Sequence, residues 1–97
     1  MIEDWRDPLQ KLGVRPTYRT LRVLVAIGER PGASNREVAE AAAIEDRGQI
    51  SRLLKRLEGL GLIENTGLGH THGGPNSWWL TATGGEVLRE LEGREWE

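Results

Sequence analysis

The apolar positions of this chain recur at helical spacing along most of its length and change to strand-like runs in two short places. Leu21, Leu24 and Val25 fall near one side of a helix that Thr17 can cap and that runs to about Glu29, with Tyr18 at the edge of the stripe. Gly28 lies on the same side, where its missing side chain lets a neighbouring element come close. Arg30-Pro31-Gly32 ends this helix. Ser34 with Glu37 makes a capping box, in which each side chain satisfies the other residue's backbone N–H. It opens a helix whose inward residues, Val38, Ala39 and Ala42, are small enough for a second helix to cross closely. Ala43-Ile44-Glu45 makes the turn, with Ile44 as a core plug and Ala43 where a glycine commonly adopts the left-handed conformation. Asp46 with Gln49 repeats the capping arrangement for a helix over 46–60, in which Ile50, Leu53, Leu54 and Leu57 form a buried stripe. Gly59 and Gly61 mark its end.

Leu62-Ile63-Glu64-Asn65 and Ser77-Trp78-Trp79-Leu80 read as two strands. The segment between them, Gly67 to Asn76, is too long and glycine-rich for a tight turn. On a strand Trp78 and Leu80 share a face and Trp79 points the other way. Trp78 is expected in the core, because Leu80 leads directly into the last helix and anchors that face. Thr81 or Thr83 caps that helix, Thr83 and Glu86 offer a second capping box, and Val87, Leu88 and Leu91 form the apolar side. Near the front, Asp7-Pro8 looks like an N-cap followed by proline at the first helical position, which predicts a short helix near 8–12. Trp5, Leu9 and Leu12 then need cover, from either the domain's own core or a partner chain. The order helix, helix-turn-helix, hairpin, helix predicts a mainly α fold with a small β-hairpin, a winged helix-turn-helix. One domain is expected over 1–97, with its core at about 17–92, an arm or short helix at 1–14 and a frayed end at 93–97.

Composition narrows the function. Without cysteine, neither disulfides nor a cysteine-rich zinc site can brace the fold. No apolar run approaches membrane-spanning length and the acidic start is unlike a secretion signal, so a cytoplasmic protein is expected. The formal net charge of −2 argues against nucleic acid until its distribution is considered. Residues 8–30 hold five basic side chains and one acid, whereas 81–97 hold two and five. Arg47, Arg52, Lys55 and Arg56 stand together in 47–56 without an acid. A basic face on an acidic body suits a reader of phosphates.

At 100° per residue, Gly48, Arg52 and Lys55 lie nearly opposite the apolar stripe of helix 46–60, flanked by Ser51 and Arg56. Arg52 is the leading candidate for a base-edge contact, because its fork can engage two acceptors of guanine together. Gln49 and Ser51 are further base-contact candidates, Lys55 and Arg56 are expected to hold phosphates, and Arg47 belongs to the same DNA-binding face. Gly48 would let DNA approach the helix closely, unless it merely sits in a frayed first turn. Arg36 joins this candidate DNA surface. So do Arg19 and Arg22, three residues apart on one helix face, which are either a solvated surface or a phosphate-contacting stripe.

Gly59-Leu60-Gly61-Leu62-Ile63 before the hairpin and Leu80-Thr81-Ala82-Thr83-Gly84 after it resemble MarR-type winged-helix regulators of bacteria. Ser34–Glu45 and Gln49-Ile50-Ser51-Arg52-Leu53-Leu54 fit the helix-turn-helix of that family, and the likeness covers about 17–92. It implies a transcription regulator that binds double-stranded DNA, with helix 46–60 in the major groove and hairpin 62–80 as the wing. Similar stretches look like appended domains of larger actinobacterial regulators. Two features depart from the family. Residues 65–80 contain no charged side chain apart from what His70 and His72 supply when protonated, and the termini of this sequence are short beside the long terminal helices through which the family dimerises. The front segment and last helix are nonetheless expected to pair two copies into a homodimer, the alternative being that a larger parent protein supplies dimerisation and this segment alone is a weak monomeric reader.

An enzyme is not expected, since no phosphate loop, activated nucleophile or carboxylate pair is present. His70 and His72 could face one side of a strand, but two ligands do not close a metal site. Neither metal nor cofactor is therefore expected, and nothing in the sequence names an effector. The rival reading is a winged-helix adaptor that binds protein, favoured by the uncharged wing and Trp79. Against it stand Arg52, Lys55 and Arg56 on the outward helix face.

Overall fold

The computed structural model describes residues 17–67 and 76–93. Within them the order is α1 (Tyr18–Glu29), α2 (Asn35–Ala42), α3 (Arg47–Gly59), β1 (Ile63–Asn65), β2 (Trp78–Leu80) and α4 (Ala82–Glu92). The expected arm, its short helix, the apolar residues Trp5, Leu9, Leu12 and Trp96, and His70 and His72 lie outside the described residues.

Helix α1 is central. Thr17, in extended conformation, caps it by accepting from the Thr20 N–H at 3.1 Å. Val23, Leu24 and Ile27 are fully enclosed, while Val25 is only partly buried and Tyr18 is exposed. The buried arc is therefore broader than the stripe of Leu21, Leu24 and Val25 read from the sequence. The physical reason is that α1 meets α2 on one side and α4 with β2 on the other. A β-carbon at Gly28 would come 3.2 Å from Leu80 Cδ1, the close approach its position predicts.

Ser34 and Glu37 form the reciprocal capping box, with bonds of 3.2 and 2.9 Å. At the other end of α2, Ala43 is left-handed at φ 59°, and Ile44 N–H returns to the Ala39 carbonyl at 2.9 Å. Ile44 is buried as expected. Asp46 caps α3 through the Gln49 N–H at 3.1 Å, but among the described residues no bond returns from the Gln49 side chain, so only half of a capping box forms. Ile50, Leu54 and Leu57 are buried, with Leu53 at the margin.

The hairpin is antiparallel, pairing Ile63 with Leu80, Glu64 with Trp79 and Asn65 with Trp78. Trp78 faces the core and Trp79 stands outside, as the strand alternation predicts. One extra bridge joins Ala33 to Trp78, with Gly32 N–H donating to Trp78 O at 2.7 Å and Trp78 N–H to Ala33 O at 2.9 Å. It sews the α1–α2 turn to the hairpin. A one-residue bridge has no alternation to read, so the sequence carries no signal of it.

Thr81, not Thr83, caps α4. Its hydroxyl oxygen accepts from Gly84 N–H at 2.9 Å and donates to the Gly61 carbonyl at 2.6 Å. Thr83 sits inside the first turn, where the Thr83–Glu86 pair has no helix start to cap. Val87 and Leu91 close the core, with Leu88 packed at its edge.

Candidate nucleic-acid interface

Burying Ile50, Leu54 and Leu57 fixes the rotation of α3 and hence what faces outward. Arg47, Gly48, Ser51, Arg52, Lys55 and Arg56 are all exposed, and Gln49 is half-buried. Among the described residues, none of these four cations pairs with an acid. They remain available to anionic ligand, and Arg56 in the last turn also complements the negative end of the helix dipole.

Gly48 lies in the first turn of α3, in helical conformation. A β-carbon there would stand 3.3 Å from Arg52 Nη1 and 3.3 Å from Asp46 Oδ1. The Arg52 side chain thus leans back over the first turn, the direction long helical side chains prefer. In this structure the space above Gly48 serves an intramolecular neighbour.

Two grooves flank this face. One, of about 730 Å³, separates α2 from α3 and is lined by Arg36, Glu40, Arg47 and Ser51 among others. Arg36 is drawn to Glu40 one turn later, Nε to Oε2 at 3.3 Å, an exposed pair of small energetic weight. The second groove, of about 490 Å³, separates α3 from the hairpin and is lined by Asn35, Ser51, Lys55, Glu58, Asn65 and Asn76.

Three asparagines and a tryptophan form a polar relay at the base of the wing. Asn35 Oδ1 accepts from Trp78 Nε1 at 2.6 Å and from Asn76 Nδ2 at 2.9 Å. Asn76 Oδ1 accepts from Asn65 Nδ2 at 2.8 Å, and Asn65 Oδ1 accepts from the N–H groups of Gly67 and Ser77, each at 2.9 Å. The wing base is thereby tied to the first turn of α2. Sequence reasoning missed these residues, because the bonds to Asn35 span 41 and 43 positions.

The two arginines read as one stripe on α1 separate. Arg19 is exposed. Arg22 is partly buried and its guanidinium donates to the carbonyls of Ala42 and Ala43, so it does not project as a free cation. Among the described residues no cluster of metal-ligating side chains occurs, and no helix is long and apolar enough to cross a membrane.

Two helices joined by a tight turn, with an antiparallel hairpin folded beside the second, define a winged helix-turn-helix. The chain belongs to the MarR family, whose model matches residues 12–72. Solved structures agree. The PcaV transcriptional regulator of Streptomyces coelicolor, solved with its natural ligand, is 30% identical with a TM-score of 0.70, over 79% of this chain and 53% of that one. The multiple antibiotic-resistance repressor of Listeria monocytogenes shares the fold at 18% identity and a TM-score of 0.69, over 87% of this chain and 53% of its own. FabT of Streptococcus pneumoniae, solved in complex with DNA, shares it at 20% identity and a TM-score of 0.66, over 87% of this chain and 59% of its own. The chain thus spans little more than half the length of these regulators. No curated protein matches it at a significant level. Members of this family are transcription regulators.

Proposed function

We propose that this chain reads double-stranded DNA in a sequence-specific way as part of transcription regulation, with α3 in the major groove and the hairpin as the wing. The observation that carries the reading is the outward face of α3, where Arg47, Arg52, Lys55 and Arg56 stand exposed and, among the described residues, without an acidic partner, while the opposite stripe is locked in the core. An adaptor for protein would have no need to gather cations there. The overall charge of −2 does not oppose the reading, since an acidic body leaves local phosphate contacts intact.

Arg52 is assigned to base edges, with Gln49 and Ser51 beside it, and Arg47, Lys55 and Arg56 to phosphates. Arg19 and Arg36 are outlying phosphate candidates. A two-fold homodimer would set two α3 helices about one DNA turn apart, roughly 34–36 Å, and would read an inverted repeat. Such a protein works in the cytoplasm, on the nucleoid, and the fold of residues 1–97 acts as one domain. Anisotropy titration against random duplex at low and moderate salt tests the reading. Binding that weakens steeply with salt is expected. No binding at low salt would favour the adaptor, for which the exposed Trp79 is the natural contact. Sedimentation at micromolar concentration tests the dimer, and a monomer throughout would exclude it.

A further inference from the structure

Arg22 leaves α1 and reaches the far end of α2. Its Nε donates to the Ala42 carbonyl at 2.8 Å, its Nη2 donates to the same oxygen, and Nη2 also donates to the Ala43 carbonyl at 3.3 Å. The ring of Tyr18, one turn earlier on α1, lies against the guanidinium with its centroid 5.5 Å from Cζ. The carbonyls engaged are among the last of α2, which have no partner within the helix and carry the negative end of its dipole. The fork therefore complements the helix end in both charge and hydrogen bonding.

What hangs from that helix end is the start of α3. Ala43 turns the chain in the left-handed conformation, Ile44 is anchored in the core, and only Ile44 and Glu45 separate Ala43 from Asp46, which caps α3. A shift of the Ala42 and Ala43 peptide units would be passed on to the helix carrying Arg52 within a few residues. Arg19, three positions earlier on α1, is exposed and makes no such contact among the described residues.

We propose that Arg22 is a positioning residue for DNA recognition, one that fixes where α3 begins by holding the Ala42–Ala43 corner, and that it touches no phosphate. The inference rests on the DNA-reading function proposed above. It sets Arg22 apart from the cations of α3, which would meet the ligand themselves.

The test uses the full chain with two labelled duplexes, the best-bound sequence recovered from a random pool and a scrambled one, titrated through a salt series. Arg22→Met removes the fork and its charge. It is expected to lower the ratio of the two affinities about tenfold, the scale of a lost hydrogen bond to a charged group, while the slope of log affinity against log salt stays as in the wild type. Arg22→Lys keeps the charge without the fork and is expected to lose about threefold, half of that free energy. A slope reduced by about 0.9 in Arg22→Met, the mark of one lost phosphate contact, overturns the proposal in favour of direct contact. Undiminished discrimination in Arg22→Met overturns it in favour of a role in stability alone. If Arg22→Met fails to fold, Arg22→Lys decides, and wild-type discrimination there overturns the proposal. Amide exchange separates this inference from the reading beneath it. Arg22→Met should speed exchange at Ile44 and Gln49 roughly tenfold, and unchanged exchange removes the clamp whatever the DNA result. Faster exchange in a chain that binds no duplex would instead remove the DNA reading.

Discussion

The indole N–H of Trp78 donates to Oδ1 of Asn35 over 2.6 Å, joining the core-facing residue of the wing to the first turn of α2. Trp78 is only 3% exposed, so its N–H has no ready alternative in water. The same Asn35 oxygen receives the amide of Asn76, and the relay continues to Asn65 across the hairpin. A wing held at its base by side chains can keep a fixed angle to α3 even though, among the described residues, only three residue pairs form its ladder.

Asn35→Ala should therefore be costly for a residue outside the core cluster. It leaves a buried donor unsatisfied, which costs about 1–3 kcal/mol. Trp78→Phe in the Asn35→Ala background should cost less than Trp78→Phe alone, because the orphaned donor is then removed. Urea unfolding of the four proteins in this cycle measures the coupling. Additive losses would mean that the indole finds another partner.

Ala43 offers a test with the opposite sign. At φ 59° and ψ 41° its β-carbon crowds the following carbonyl, a strain of roughly 1–2 kcal/mol for an L-residue. Glycine removes that strain and returns about 0.5–1 kcal/mol of backbone entropy to the unfolded chain. Ala43→Gly should raise the melting temperature by a few degrees, as expected for a net gain of about 0.5 kcal/mol. A lower melting temperature would show that the corner relaxes out of the left-handed region in solution.

Gly84 and Gly85 are neighbours in α4 with opposite tolerances. A β-carbon at Gly84 would overlap the Leu62 carbonyl oxygen and lie 2.9 Å from its carbon, whereas one at Gly85 meets nothing within 4 Å. Gly85→Ala should stabilise the fold by about 0.5–1 kcal/mol through helix propensity. Gly84→Ala should destabilise it by about 1–3 kcal/mol, since α4 must lift off the backbone beside β1. Thermal melts of the two variants give the comparison. Equal shifts would refute the close packing of α4 on Leu62.

Much of this architecture was legible because it is local. The Ser34–Glu37 box, the Thr17 cap, the corner at Ala43 and the alternation of Trp78 and Trp79 each depend on residues within a few positions of one another. The outward face of α3 was legible for the same reason, since one apolar stripe fixes helix rotation. What stayed hidden is carried by distant pairs. Arg22 resembled Arg19 on a helical projection, and only the arrival of the α2 end beside it, 20 positions on, separates them. Asn35 showed no periodicity to mark it as the hub of the wing. The choice of Thr81 over Thr83 was likewise set from outside, by the Gly61 carbonyl that Thr81 engages.

The proposed reading gives the cations on the outward face of α3 two different roles, and binding measurements can test that division. Arg52 leans over the first turn of α3, beside Gly48 and Asp46, the end of a recognition helix that commonly meets base edges. Lys55 lies one turn after Ser51 and lines the groove facing the hairpin. If Arg52 reads a guanine, Arg52→Ala should lose about 1–3 kcal/mol of preference at particular base pairs. Its binding to scrambled duplex should change far less. Lys55→Ala should weaken both duplexes alike and reduce the salt slope by about 0.9. The pattern is read from competition titrations at several salt concentrations. Arg52→Ala binding both duplexes as the wild type does would remove Arg52 from the base-reading role, while an unchanged slope in Lys55→Ala would remove Lys55 from the phosphates.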